Sequence, residues 1–292
     1  VYTSKTTDLL MAQSIPTLTG YARTYANVGK TKNFGYDLTF NFVPVRTKDF
    51  EWNIGVNAAY SRNEIVSLAN GKEDDPANGW FIGESTNSIY TYESAGLWKE
   101  EDRADMEKFN ANGHDFQIGM ARPVDQNGDY KIDANNDRTI VGHYDPRWTL
   151  GLNTNFTYKG WDLGIQLYGR MGFKYYDSSV WVGGRYNVRD YDYYNENNKN
   201  AAHPKPIYDE GGKDAYYNET YLKNGSYLKI RNISLGYTFP NRLLTHTGLS
   251  ALRMYAQIKN PGYIFSGCKT LDLDTYSNTY NSGFTFGLNL SF

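Results

Sequence analysis

Apolar and polar residues alternate along this chain with a period of two. In the clearest run Trp161, Leu163, Ile165, Leu167, Gly169, Met171 and Phe173 take the odd positions, and Asp162, Gly164, Gln166, Tyr168, Arg170 and Gly172 lie between them. Side chains alternate across a strand, so such a run has one greasy and one wet face. The run before it sets Trp148, Leu150, Leu152, Phe156 and Tyr158 against Arg147, Gly151, Asn153, Asn155 and Lys159, and Lys159-Gly160 is a hairpin-sized break. Phe34 to Phe42, Trp52 to Tyr60, Ile233 to Phe239, Leu252 to Ile258 and Phe284 to Phe292 repeat the pattern. The spacing predicts eight strands, near 1–10, 34–45, 51–66, 147–159, 161–173, 225–239, 251–262 and 282–292. Segments of about ten residues suit a tilted strand crossing a bilayer. Helical periodicity is confined to 103–110.

Two features separate this pattern from that of a soluble sandwich. The wet faces carry Gly, Asn, Gln, Lys and Arg with no second apolar layer. The connections also alternate: those near 46–50, 159–160 and 240–250 are short, and those at about 11–33, 67–146, 174–221 and 265–281 are long and polar. Short periplasmic turns and long extracellular loops belong to outer-membrane barrels. The expected fold is all-β, a transmembrane antiparallel β-barrel with those four stretches extracellular. Composition agrees: mean hydropathy is −0.66, yet 16% of residues are aromatic, including 27 Tyr. A polar-lined barrel with aromatic girdles has that balance; so does a soluble glycan-binding β-sandwich.

A net charge of −2 without a basic run gives no reason to expect nucleic acid. The single cysteine, Cys268, excludes an intrachain disulfide. The chain opens on Val1 with no export signal, and it reads as part of a longer one.

Candidate chemistry is sparse. Asp125, Asn127 and Asp129 stand at positions 1, 3 and 5 of an EF-hand-like loop, with the Lys131 carbonyl at 7 and Asp133 at 9. That spacing suits the six to eight oxygens of a structural Ca²⁺. It departs from the motif at position 6, where Tyr130 replaces Gly, and at the closing acid, because Asn136 falls at 12 and Asp137 at 13. The alternative is a solvated acidic turn. The loop aromatics Trp98, Trp181, Tyr186, Tyr191, Tyr193 and Tyr194 could line a sugar or peptide path, or pack loop on loop. Asp162 and Arg170, on the wet face of one strand, are expected to be lumen charges. No hydrolase, zinc-protease or P-loop motif appears, and His114, His143, His203 and His246 have no paired spacing, so an enzyme is not expected. The C-terminal Phe292, on an alternating aromatic strand, resembles the signal read by the barrel-assembly machinery.

Several stretches resemble the C-terminal third of SusC/RagA-type TonB-dependent transporters of Bacteroidetes. They are Asn27-Val28-Gly29, 33–38, 44–52, the acidic 125–129 block with Ile140-Val141-Gly142, 158–163, 227–237 and the ending 284–292, in order along the chain. The resemblance implies a parent barrel of about 22 strands with a plugged lumen, of which this chain holds the last eight. It also implies the outer membrane of a Gram-negative bacterium and contact with its lipid. It implies TonB engaged through an N-terminal part absent from this chain, a SusD-like surface lipoprotein, and import of glycans or oligopeptides. The rival readings are a self-contained eight-stranded barrel serving as adhesin or enzyme, and the soluble sandwich.

Overall fold

An alternating segment buries one face only against a neighbour of the same period, so eight such segments assemble into one sheet. The computed structural model describes all residues except 16, 17, 19, 21, 22, 70, 178–191, 207–213, 269, 270 and 276–280; 11–14, 23, 28, 217 and 218 are described by their backbone alone. In chain order the elements are β1 (Tyr2–Ser14), β2 (Arg23–Arg46), β3 (Phe50–Ser67), β4 (Ser88–Tyr92), β5 (Ser94–Leu97), α1 (Arg103–Ala111), β6 (Ala121–Pro123) and β7 (Arg138–His143). They continue with β8 (Trp148–Tyr158), β9 (Trp161–Met171), β10 (Lys174–Tyr176), β11 (Leu222–Asn224), β12 (Tyr227–Thr238), β13 (Ala251–Ser266) and β14 (Gly283–Ser291). The main sheet is antiparallel and ordered β1-β2-β3-β8-β9-β12-β13-β14. All eight expected strands are present, and α1 covers the expected helical stretch. Because β1 and β14 are not neighbours, the sheet does not close on itself. It therefore forms neither a self-contained eight-stranded barrel nor a sandwich. Among the described residues no helix is long and apolar enough to cross a membrane, and crossing by strands needs none.

The apolar face carries no protein layer: Phe40, Phe42, Leu235, Phe284, Phe286 and Leu288 are all exposed. Two aromatic rows bound this band. Tyr36, Tyr60 and Trp148 are register partners toward the long-connection end, with Tyr36 and Tyr60 stacked at 5.2 Å. Toward the short-turn end Trp52 stacks on Phe156 at 5.4 Å, and Tyr158, Trp161 and Tyr237 continue the row. From Trp148 to Tyr158 the strand covers roughly 34 Å, or about 26 Å along the membrane normal at a tilt near 40°. That matches the apolar band of a membrane barrel, with its girdles at the two interfaces.

Two expected loops are shorter than the sequence implies. The first, expected over 11–33, is mostly strand: β1 runs to Ser14 and β2 begins at Arg23, leaving 15–22 between them. Above the upper girdle apolar and polar residues no longer alternate strictly, as in Leu9-Leu10-Met11, while the backbone ladder continues. The last, expected from 265, starts only after β13 ends at Ser266. The 67–146 stretch is an ordered unit, with β4 paired to β7 and β5 to β6. Buried cores lie in these connections rather than in the band: Trp98, Met106, Phe109, Phe116, Met120 and Ile132 form one, and Phe173, Tyr175, Tyr227, Cys268 and Leu273 another.

Candidate functional site

The acidic loop folds around its own backbone. Asp125 accepts from the Gly128 and Tyr130 amides at 2.7 and 2.8 Å, and Asn127 accepts from the Asp129 amide. Asp129 accepts from the Lys131 amide, and Asp133 from those of Asn135 and Asn136. Asp137 is fully buried and clasps the ends of the loop, accepting from the Gln126 amide at 2.9 Å and the Asp133 amide at 2.7 Å. Tyr130 adopts φ +59°, the left-handed turn for which an EF-hand uses glycine, so the turn survives the departure in sequence. Among the described residues no three His, Cys, Asp or Glu side chains gather as metal ligands. The carboxylate oxygens accept from the loop's own amides, and Asp137 adds a buried clasp.

The loop aromatics divide. Trp98 is 0% exposed, packed edge-on against Phe109 at 5.5 Å and capped by the Arg122 guanidinium at 4.6 Å. A substrate cannot reach it, so the expected contact role is corrected to core packing. Tyr194 is half-buried, its ring so close to Gly119 that a Cβ there would collide with it. Tyr193 stays 39% exposed. Trp181, Tyr186 and Tyr191 lie outside the described residues.

The 171–227 connection is tied to the 67–147 unit by one buried and one half-buried carboxylate. Asp214 accepts from the Ala121 amide at 2.9 Å, and Glu219 accepts from the Thr91 hydroxyl at 2.7 Å. Burial pushes the Asp214 carboxyl up to about 6, with its backbone hydrogen bonds opposing, and pushes Glu219 upward as well. Lys205 adds a bond from its ammonium to Gln117 at 2.8 Å.

The wet face of the wall carries a charge cluster that the sequence motifs did not disclose. The β12 register skips Arg231 against both neighbours, a bulge that leaves the Arg231 and Lys229 side chains working on the same face. Lys229, 1% exposed, lies 2.8 Å from Asp274 and 3.5 Å from Asp272, both on the last long connection. Arg231 donates to both Asp274 oxygens at 3.0 Å and stacks over the Tyr168 ring at 3.7 Å. The Tyr227 hydroxyl donates to Asp274 at 3.2 Å, and that of Tyr263 donates to Asp272. Burial alone would push the Asp274 carboxyl up, but the bond from Lys229 and the Lys229 and Arg231 charges hold it below the usual carboxylate range. Asp272 and Asp274 are thereby pinned onto the wet face. Removing one partner would strand a buried charge, at a cost of about 3–5 kcal/mol. The expected lumen charges fit the same surface: Arg170 donates to the Tyr168 hydroxyl at 2.9 Å. Asp162 pairs with Arg253 across two strands at 2.9 Å, over Gly236, where a side chain would block the pair. The signal was available in Lys229-Ile230-Arg231 and Asp272-Leu273-Asp274, two alternating pairs of opposite sign.

Phe292 is 91% exposed at the end of β14, past Phe284, Phe286, Leu288 and Leu290 on the apolar face.

No family model matches the chain. Individual relatives do. The TonB-dependent receptor P3 of Formosa agariphila is 27% identical over 323 residues, covering 100% of this chain and 32% of that protein. The TonB-dependent receptor SusC of Bacteroides thetaiotaomicron is 28% identical over 314 residues, covering 99% of this chain and 29% of that protein. Among solved structures, that of the RagAB peptide transporter superposes with TM-score 0.70 at 25% identity, covering 99% of this chain and 32% of the matched one. The RagAB peptide importer in its open-open state superposes with TM-score 0.72 at 24% identity, a likeness of fold. The chain spans about a third of the length of the curated relatives it matches.

Proposed function

We propose that this chain is the C-terminal barrel part of a SusC/RagA-type TonB-dependent receptor, and that the protein imports nutrients across the outer membrane. The chain contributes wall and loops. The observation that carries this reading is the pairing of a lipid-facing band, bounded by two aromatic rows, with long connections packed together at one end. Such a wall passes a solute through its polar interior. The long connections face outward from the cell, and the short turns face the periplasm. The lumen wall is polar and charged at Asp162, Arg170, Lys229, Arg231 and Arg253, and Asp272 and Asp274 of the last long connection are held onto it.

The cargo is a glycan or an oligopeptide, captured with a SusD-like surface lipoprotein, and the energised step runs through TonB contacts outside this chain. The names of the relatives support this reading: one is SusC and another is a peptide transporter. Phe292 serves as the barrel-assembly signal. The test is a strain lacking the full-length protein, grown on a panel of glycans and peptides as sole nutrient. Growth should fail on one class and return with the intact gene. Unchanged growth on every member, with the protein present in the wild-type outer membrane, would overturn the import reading.

A further inference from the structure

The outward face of β1–β3 changes character just above the upper aromatic row. Two steps along that face from Tyr36, past the exposed ring of Phe34, stands Lys32, and Lys30 follows it on the same strand. Lys5 of β1 is the direct register partner of Lys32, and Arg62 of β3 is that of Phe34. Lysines directly opposite each other across a ladder repel and destabilise the pair. The carboxylates nearby do not balance this group. Glu64 lies 3.4 Å from Lys32, while Asp8, in the β1 bulge, accepts from the Thr7 hydroxyl. Arg62 donates to the Gly83 carbonyl at 3.2 Å, which leaves its charge uncompensated. Level with the aromatic row below them, β8 and β9 present Trp148 and Met171, neither of them charged.

Lys32 lies roughly 13 Å of strand above Tyr36, or about 10 Å along the membrane normal. Aromatic rings settle at the boundary between acyl chains and headgroups, so these cations reach the headgroup layer, and long basic side chains can extend further into it. We propose that Lys5, Lys30, Lys32 and Arg62 bind the phosphate of an outer-leaflet glycolipid, whose acyl chains lie against Phe34, Leu38 and Phe40. A lipid source is favoured over a free anion because the cations continue directly into the exposed apolar band. This inference rests on the outward orientation of the long connections.

The test uses the full-length protein purified in detergent, titrated with monophosphorylated lipid A and followed by native mass spectrometry. A basic residue near a membrane surface contributes about fivefold in affinity, so Lys5→Gln/Lys30→Gln/Lys32→Gln should weaken binding about 100-fold. Lys159→Gln, at the short-turn end, should leave it unchanged. Heat-modifiable migration on gels confirms that each variant is folded. Equal binding of phosphorylated and dephosphorylated lipid A, or a triple variant that binds like the wild type, would overturn the proposal. Inorganic phosphate bound as tightly as the lipid would overturn its lipid source. An epitope tag inserted between Asn112 and Gly113, both exposed, tests the orientation separately: if antibody reaches it only after cells are permeabilised, the orientation reading fails first.

Discussion

Large apolar side chains point away from the protein in the wall and into it in the 67–147 connection. Phe286 is 81% exposed and Trp98 is 0% exposed, although both are aromatic and both lie in polar sequence. The wall has no core of its own. Its strands are held by a continuous ladder, and their greasy face is bare of protein. The connection above it is a small globule with helix α1, a buried Trp-Phe cluster and clasped turns. The same chain therefore obeys two solvents, and each residue's cost of replacement depends on which solvent it meets.

The largest expected effect separates the two regions outright. Trp98→Ala should cost the connection about 3–5 kcal/mol by emptying its core. Limited proteolysis should then cut within 67–147 while the barrel keeps its heat-modifiable migration. Loss of both together would mean that the regions fold as one unit.

Next comes a test of the wall's two faces. Leu167, partnered by Leu152 and Ile230 in mid-band, becomes unfavourable by about 2–4 kcal/mol when replaced by Arg. Its neighbour Gln166 points to the wet side, and Gln166→Arg should change stability by under about 1 kcal/mol. The measurement is the fraction of assembled barrel in the outer membrane for each variant. Equal losses would contradict the assigned faces.

The smallest effect concerns the seam between connections. The Asp214 carboxyl, raised to about 6 by burial, binds its proton more tightly in the folded state than in the unfolded one. Its contribution is therefore most favourable below the ordinary Asp value and is lost as pH rises through about 6. At pH 7 the penalty is about 1–3 kcal/mol of local stability. Protection of the Ala121 amide against hydrogen exchange, corrected for the intrinsic rate, should rise from pH 7 to pH 5. In Asp214→Asn that pH dependence should shrink to the part that Glu219 contributes. A wild-type seam that loosens on acidification would contradict the assignment.

Much of the wall was legible because one apolar and one polar face impose a strict period of two. Leu163, Ile165 and Leu167 could only share a face, and the register partners follow from that face being continuous. The ends of β1, β2 and β13 were not legible. Once strands rise above the girdle, Lys30, Lys32 and Asn33 no longer alternate with apolar residues, while the ladder that defines the strand is made of backbone. The helix 103–111 was legible from its short local pattern. The acidic loop was legible as a turn but not as a clasp, because the spacing of Asp125, Asn127 and Asp129 does not say whether their oxygens face a cation or the chain's own amides.

The sequence by itself determined the strand count, the two faces, the long and short ends and the resemblance to a transporter family, because each depends on local order along the chain. The tertiary structure decided the rest. It buried Trp98, joined Lys229 and Arg231 to Asp272 and Asp274, and set Lys5 against Lys32. Those partners are separated along the chain by at least 27 residues in the last case and by at least 40 in the cluster. Only a folded register brings such distant charges within reach of one another, and Coulomb attraction or repulsion then acts at a few ångströms.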